Sequence, residues 1–153
     1  MQWSGDTNAG FTQGTPWQPA DSSYQEVNVA AQEVDGTSLV NHYRTLVNLR
    51  NQHPVLRTGA YLPFTSSCRL IYPVLRVNDK EALILIANLD RRVQEGCTIS
   101  IEESSLAGEY EIDAIFGEGE FGSISFEENG ALLEFQIPVA LDPWECFILK
   151  LRR

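Results

Sequence analysis

The alternation of apolar and polar positions changes character twice along the chain. Residues 1–36 hold no period of 2 or 3.6. Gly, Asn, Gln, Thr and Pro dominate there, with Trp3, Phe11, Trp17 and Tyr24 set among them. Such a stretch reads as irregular chain, yet it carries more rings than a disordered linker, and those rings need a surface to lie on. Residues 37–53 switch to a helical period. Leu39, Tyr43, Leu46, Val47 and Arg50 fall at i, i+4, i+7, i+8 and i+11, while Val40 and Leu49 widen the apolar side. Asp35 or Thr37 can cap the start, Arg44 and Arg50 suit the negative end of the helix dipole, and Pro54 stops the run. The helix is amphipathic, so its stripe must bury against something.

From residue 60 the period becomes that of strands. Arg69–Val77 and Ala82–Leu89 are rich in Leu, Ile and Val and flank Asn78-Asp79-Lys80-Glu81, a good hairpin turn. Thr98–Glu102 alternates, and Tyr110–Phe116 follows Gly108. Gly122–Glu127 is expected to pair with Ala131–Ile137 across Asn129-Gly130, a strong short hairpin signal. Trp144–Leu151 is a final strand with Phe147, Leu149 and Leu151 on one face. Short strands at roughly ten-residue spacing predict a mainly β fold, an antiparallel Greek-key β-sandwich over residues 58–153.

Composition narrows the function classes. The 153 residues are 43% hydrophobic and 21% charged, ordinary for a globular chain. A net charge of −10 repels phosphate backbones and anionic lipid, so neither nucleic acid nor a membrane is an expected partner. No apolar run approaches the ~18 residues needed to span a bilayer. Cys68, Cys97 and Cys146 are odd in number, widely spaced and without a CxxC pair. They read as buried free thiols of a reducing compartment, which favours the cytoplasm.

Candidate chemistry is sparse. Cleavage of a glycosidic bond needs two carboxylates about 5–9.5 Å apart across a sugar. The acidic pairs Glu102-Glu103, Glu118 with Glu120, and Glu127-Glu128 all sit in turns without nearby rings, as solvated carboxylates do. His42 and His53 lie on or at the end of the helix with no G-x-S-x-G elbow to serve. Gly117, Gly119 and Gly122 match G-x-G-x-x-G only by accident, since no strand-to-helix context surrounds them. No catalytic residue, no cofactor and no metal site is therefore expected. Binding has more support: Trp3, Phe11 and Trp17, mixed with Gln2, Asn8, Gln13 and Gln18, have the composition of a carbohydrate contact, flat rings beside amides. The competing expectation is that these rings pack against the rest of a larger domain.

The opening stretch carries a resemblance. Met1-Gln2-Trp3, then Asn8-Ala9-Gly10-Phe11, Pro16-Trp17, and Tyr24-x-x-Val27-Asn28-Val29 appear in that order. Ser38-Leu39-Val40-Asn41-His42-Tyr43-Arg44, with Leu49-Arg50, follows, and Leu141-x-Pro143-Trp144-Glu145 closes the chain. This series resembles glycoside hydrolase family 13, in particular its oligo-1,6-glucosidase, α-glucosidase and trehalose-converting branch. The resemblance implies that residues 1–57 are the tail end of a (β/α)₈ catalytic barrel, with an irregular arm at 1–36 and the last barrel helix at 37–53. Residues 58–153 would be the carboxy-terminal sandwich. It implies further that the family's catalytic acids lie upstream of the Met1-Gln2-Trp3 motif and have no counterpart here. On that resemblance, a start in mid-motif is what a piece cut from a longer protein is expected to show. Ser4 stands where the family has Asp. The implied partners are the catalytic barrel and an α-glucan or oligosaccharide. The helix stripe is expected to be covered by residues 1–30 or by a second copy in a homodimer, or else the arm is poorly ordered. Two alternative roles stay open: an autonomous carbohydrate-binding module, and an interaction domain that docks a partner through the helix face.

Overall fold

Branched apolar side chains at every second position build the strands, and the computed structural model, which describes all 153 residues, places nine of them after Pro54. They are β1 (Ala60–Pro63), β2 (Thr65–Ser66), β3 (Ile71–Val77), β4 (Ala82–Asn88), β5 (Thr98–Ile101), β6 (Gly108–Phe116), β7 (Ser123–Phe126), β8 (Leu132–Gln136) and β9 (Cys146–Arg152). A six-stranded sheet runs β1-β3-β4-β9-β6-β7 and a three-stranded sheet runs β2-β5-β8. Every strand pairing is antiparallel. The last strand inserts between β4 and β6, the long-range return expected of a Greek key.

Two layers close on one apolar core. Leu75, Ile84, Ile86, Phe147 and Leu149 of the larger sheet meet Ile99, Ile101 and Leu132 of the smaller one. The Phe121 and Phe147 rings pack edge-on with centroids 5.2 Å apart. Each such side chain taken out of water stabilises the fold by about 1.5–3 kcal/mol. The opposite face of the larger sheet is also partly buried, at Val74, Leu83 and Ile148. A short helix, α3 (Val55–Thr58), packs on β3 and β4, with Val55 wholly buried. Gly59 permits that approach, because a Cβ there would stand 2.5 Å from Val55 Cγ2.

Two sequence expectations are corrected here. Asn129-Gly130 does form a tight turn, with Gly130 donating to Glu127 O at 2.9 Å and Gly130 at φ +81°. It does not close a paired hairpin, because β7 lies in the six-stranded sheet and β8 in the three-stranded one. Phe126 and Leu132 on either side of the turn both face the core, and burying them draws the flanking strands into different layers. The second correction concerns the thiols. Cys68 and Cys97 form a disulfide with Cα atoms 5.4 Å apart, and only Cys146 is free. The pairing β2·β5 brings the two cysteines together although 29 residues separate them. The ground for expecting a reducing compartment falls with it. No helix is long and apolar enough to cross a membrane.

Residues Met1–His53 form a second compact unit, separate from Pro54–Arg153. The arm is less irregular than its composition implies. It contains two 3₁₀ turns, Thr7–Gly10 and Ser22–Gln25, and a helix, α1 (Val29–Val34). The expected long helix is α2 (Leu39–Gln52). Its cap is neither Asp35 nor Thr37 but Ser38, whose Oγ accepts from Asn41 N at 3.3 Å and donates to Gln32 O at 2.6 Å. Asp35 instead accepts from the Thr37 hydroxyl and backbone N–H, which hold its carboxyl below the usual carboxylate range. Asn41 Nδ2 binds the carbonyls of Gln32, Glu33 and Asp35, so α1 is lashed to the start of α2. The apolar stripe is only partly covered, with Val40, Leu46 and Leu49 half-buried. Leu39, Tyr43 and Val47 are 65%, 61% and 53% exposed, and no residue of α2 is buried.

Candidate functional site

The ordered motifs of the arm bond to one another. Asn8 (φ 57°), Ala9 (φ 54°) and Gly10 (φ 74°) are three successive residues in left-handed conformation. Asparagine and glycine tolerate that region best, and Ala9 must be small because it is wholly buried. Ala9 O accepts from Trp3 N at 3.0 Å and Ser4 N at 3.3 Å, which pins the first residues of the arm to this turn. Asn8 Nδ2 donates to Thr12 O and Gly14 O, both at 3.0 Å, and so shapes the loop that carries Phe11. Asn28 caps α1, accepting from Ala31 N at 2.8 Å and donating to Tyr24 O at 2.9 Å. Val29 N and Ala30 N then donate to Gln2 O and Trp3 O, both at 3.0 Å. Motifs separated by up to 27 residues thus make one scaffold, and their polar residues serve the backbone first.

That scaffold borders an open cleft of about 700 Å³, lined among others by Gln2, Asn8, Phe11, Pro16, Trp17 and Asp21. Phe11 and Trp17, both expected to contact sugar, are brought together here, 56% and 95% exposed. Trp3, the third expected contact, is 49% exposed and lies outside the lining. Gln2 Nε2 reaches Asp21 O at 3.2 Å and so bridges two walls. Asp21 accepts from Ser23 N at 2.9 Å; hydrogen bonds from the Ser23 backbone and hydroxyl keep its carboxyl below the ordinary range, so it is ionised at neutral pH. It is the sole acid in the lining. An exposed indole, a phenyl ring, side-chain amides and one carboxylate can stack and hydrogen-bond a sugar. A lone carboxylate cannot supply the acid and the nucleophile of glycosidic cleavage.

The remaining candidates stay dispersed. His42 is exposed, its ring edge-on to Tyr43 at 6.2 Å. The acidic pairs all face solvent. Gly117 sits at φ +84° against the Phe147 ring, in a strand-end turn rather than a phosphate cradle. No group of three or more His, Cys, Asp or Glu side chains converges where a metal could bind. Ser4, in the place of the family's Asp, donates to Asp6 Oδ2 at 2.8 Å. What sequence inspection missed is the outer face of the large sheet, where Tyr61 and Tyr72 meet. Neither ring belongs to a motif, and only their exposed strand positions could have pointed to them.

Comparison with known proteins matches residues 1–59 to the family described as alpha amylase, catalytic domain. The chain is 39% identical over 92 residues to the oligo-1,6-glucosidase of Parageobacillus thermoglucosidasius, covering 60% of this chain and 16% of that protein. It is 37% identical over 94 residues to the trehalose-6-phosphate hydrolase of Escherichia coli, covering 61% of this chain and 17% of that one. Among solved structures, an isomaltulose synthase mutant of Erwinia rhapontici in complex with sucrose aligns over 99% of this chain and 24% of its own. The identity there is 27% and the TM-score 0.64. The chain therefore spans under a fifth of those curated relatives and about a quarter of the solved one.

Proposed function

Because the chain belongs to the α-amylase family of glycoside hydrolases, we propose that it is the non-catalytic carboxy-terminal region of an enzyme acting on α-glucosidic bonds. In that enzyme residues 1–57 complete the catalytic barrel, and the sandwich at 58–153 supports it. The observation that carries this is the incompletely covered stripe of α2. A helix with Leu39, Tyr43 and Val47 in water and no buried residue has a face cut for neighbours other than those this chain supplies. The catalytic barrel is that neighbour. The bond-breaking acids belong to the barrel, where a retaining reaction forms a covalent glucosyl intermediate on a carboxylate. The arm contributes binding: Phe11 and Trp17 give the sugar a hydrophobic floor, and Gln2 and Asp21 fix its hydroxyls.

Mixing the chain with the complementary barrel portion of an oligo-1,6-glucosidase tests this. A stable complex that hydrolyses p-nitrophenyl α-glucoside is expected, with no turnover by the chain alone. L39S/Y43S/V47S should prevent assembly. Hydrolysis by the isolated, pure chain would overturn the proposal.

The cleft beside Phe11 and Trp17 favours a second role, an autonomous carbohydrate-binding module. Saturable quenching of Trp fluorescence by maltooligosaccharides, abolished in W17A, would support it; a flat titration would exclude it.

A further inference from the structure

On the face of the large sheet turned away from the sandwich core, Tyr61 and Tyr72 touch through their phenol oxygens. The register makes that contact informative. Tyr61 stands directly opposite Arg76, and Pro63 opposite Val74. Tyr72 lies on the same face as Val74 and Arg76, because Ile71, Leu75 and Val77 point into the core. Tyr61 and Tyr72 are thus offset by four residues along β3, roughly 13 Å. Their hydroxyls can meet only if both side chains lie down along the sheet, pointing at each other. The residue they span, Val74, is 3% exposed, while Tyr61 and Tyr72 keep 50% and 49% of their surfaces in solvent. Arg76 stacks on the Tyr61 ring with Cζ 5.9 Å from its centroid, and its guanidinium is anchored on Val55 O at 3.3 and 3.4 Å. The rings are therefore locked by each other and by a fixed cation.

We propose that Tyr61 and Tyr72 form a second carbohydrate platform, on the sandwich itself, for a short oligosaccharide lying along β3. Two rings meeting end to end through their hydroxyls present an apolar strip about as long as a few sugar units, rimmed by phenol hydroxyls and by Arg76 N–H groups. Pyranose rings place their C–H faces on such strips and their hydroxyls at the edges. The pair is pre-ordered, so little side-chain entropy is lost on binding. The choice of α-glucosides as ligands rests on the family assignment; the platform rests on the geometry alone.

The test uses the whole chain with maltotriose and isomaltotriose as probes, read by saturation-transfer NMR and calorimetry. Y61A/Y72A, shown folded by circular dichroism, should weaken binding by about tenfold or more, about 1.4 kcal/mol. Y61F/Y72F keeps the rings but loses the hydroxyl contact and rim, so it should bind more weakly than the unaltered chain and better than Y61A/Y72A, while F11A/W17A should retain the part due to the platform. The proposal is overturned if neither sugar gives saturation transfer, if Y61A/Y72A binds as the unaltered chain does, or if Y61F/Y72F binds no better than Y61A/Y72A. Loss confined to F11A/W17A would sink the platform while upholding the arm cleft.

Discussion

Asn88 donates through Nδ2 to the carbonyl of Leu141 at 3.0 Å, and both residues are wholly buried although 53 positions separate them. The same amide also reaches Arg92 O at 2.9 Å and Asp142 O at 3.0 Å, while its oxygen accepts from Asp90 N. One side chain thus ties the turn after β4, at Arg92, to the turn before β9, at Leu141 and Asp142. Asn88→Ala removes all three donations and leaves buried Leu141 O with only its bond from Gln94 N, and a loss of about 2 kcal/mol is expected by urea denaturation. Asn88→Asp, which cannot donate in their direction, should be no better. A loss below about 1 kcal/mol would show that water replaces the amide.

The Cys68–Cys97 disulfide should contribute about 3.6 kcal/mol for a loop of this length. Alkylation of the unfolded chain should label only Cys146 before reduction and all three cysteines after it. Reduction, or Cys68→Ser with Cys97→Ser, should free the two-residue strand β2 first, because only Thr65 and Ser66 pair it to β5. Hydrogen exchange localised at β2 and β5 would register that order; uniform loss across the sandwich would contradict it.

Gly130→Ala should be among the most damaging single-methyl additions. The backbone is at φ +81°, and the new Cβ would lie 1.9 Å from Ser104 O. Ser104 cannot yield easily, since its own hydroxyl donates to Gly130 O at 2.7 Å. A loss of at least about 3 kcal/mol is expected from the thermal midpoint, against about 1 kcal/mol for an ordinary left-handed glycine.

Asp90 gives the fold an acid-sensitive joint. Its carboxylate accepts from Arg92 Nη2 at 3.3 Å, Gln94 Nε2 at 3.2 Å and Arg91 N at 2.7 Å. The Arg92 hydrogen bond, ahead of the backbone one from Arg91, draws its pKa below the usual value. The folded state therefore holds this proton less tightly than the unfolded state does. The stabilisation is fully present above the ordinary Asp pKa, near 4, and is lost as pH falls through the lower folded value. Asp90→Asn should lower the melting temperature at neutral pH and flatten its decline below about pH 4. A variant with an unchanged acid limb would remove Asp90 from the account.

The strands β3, β4 and β9 were legible because alternation over seven residues leaves one face to bury, and Phe147, Leu149 and Leu151 bury it. The destination of the chain after Asn129-Gly130 was not legible. Turn chemistry fixes four residues, whereas the sheet that receives the next strand is decided by where Phe126 and Leu132 find the core. The sequence pointed to Asp35 or Thr37 as the cap of α2, whereas the Gln32 carbonyl, contributed by α1, selects Ser38. That helix went unseen because Val29–Val34 is too short to show a period. In the arm the rings were legible as chemistry but not as a place. Phe11 and Trp17 share a wall and Trp3 does not, because three left-handed residues at Asn8, Ala9 and Gly10 turn the chain between them.

The sulfur bridge encircles the whole β3–β4 hairpin, including the exposed Asp79-Lys80 tip. A protease that clips this tip opens a covalent ring rather than severing the molecule. Under denaturing conditions the nicked chain would travel as a single species until a reductant parts it into two.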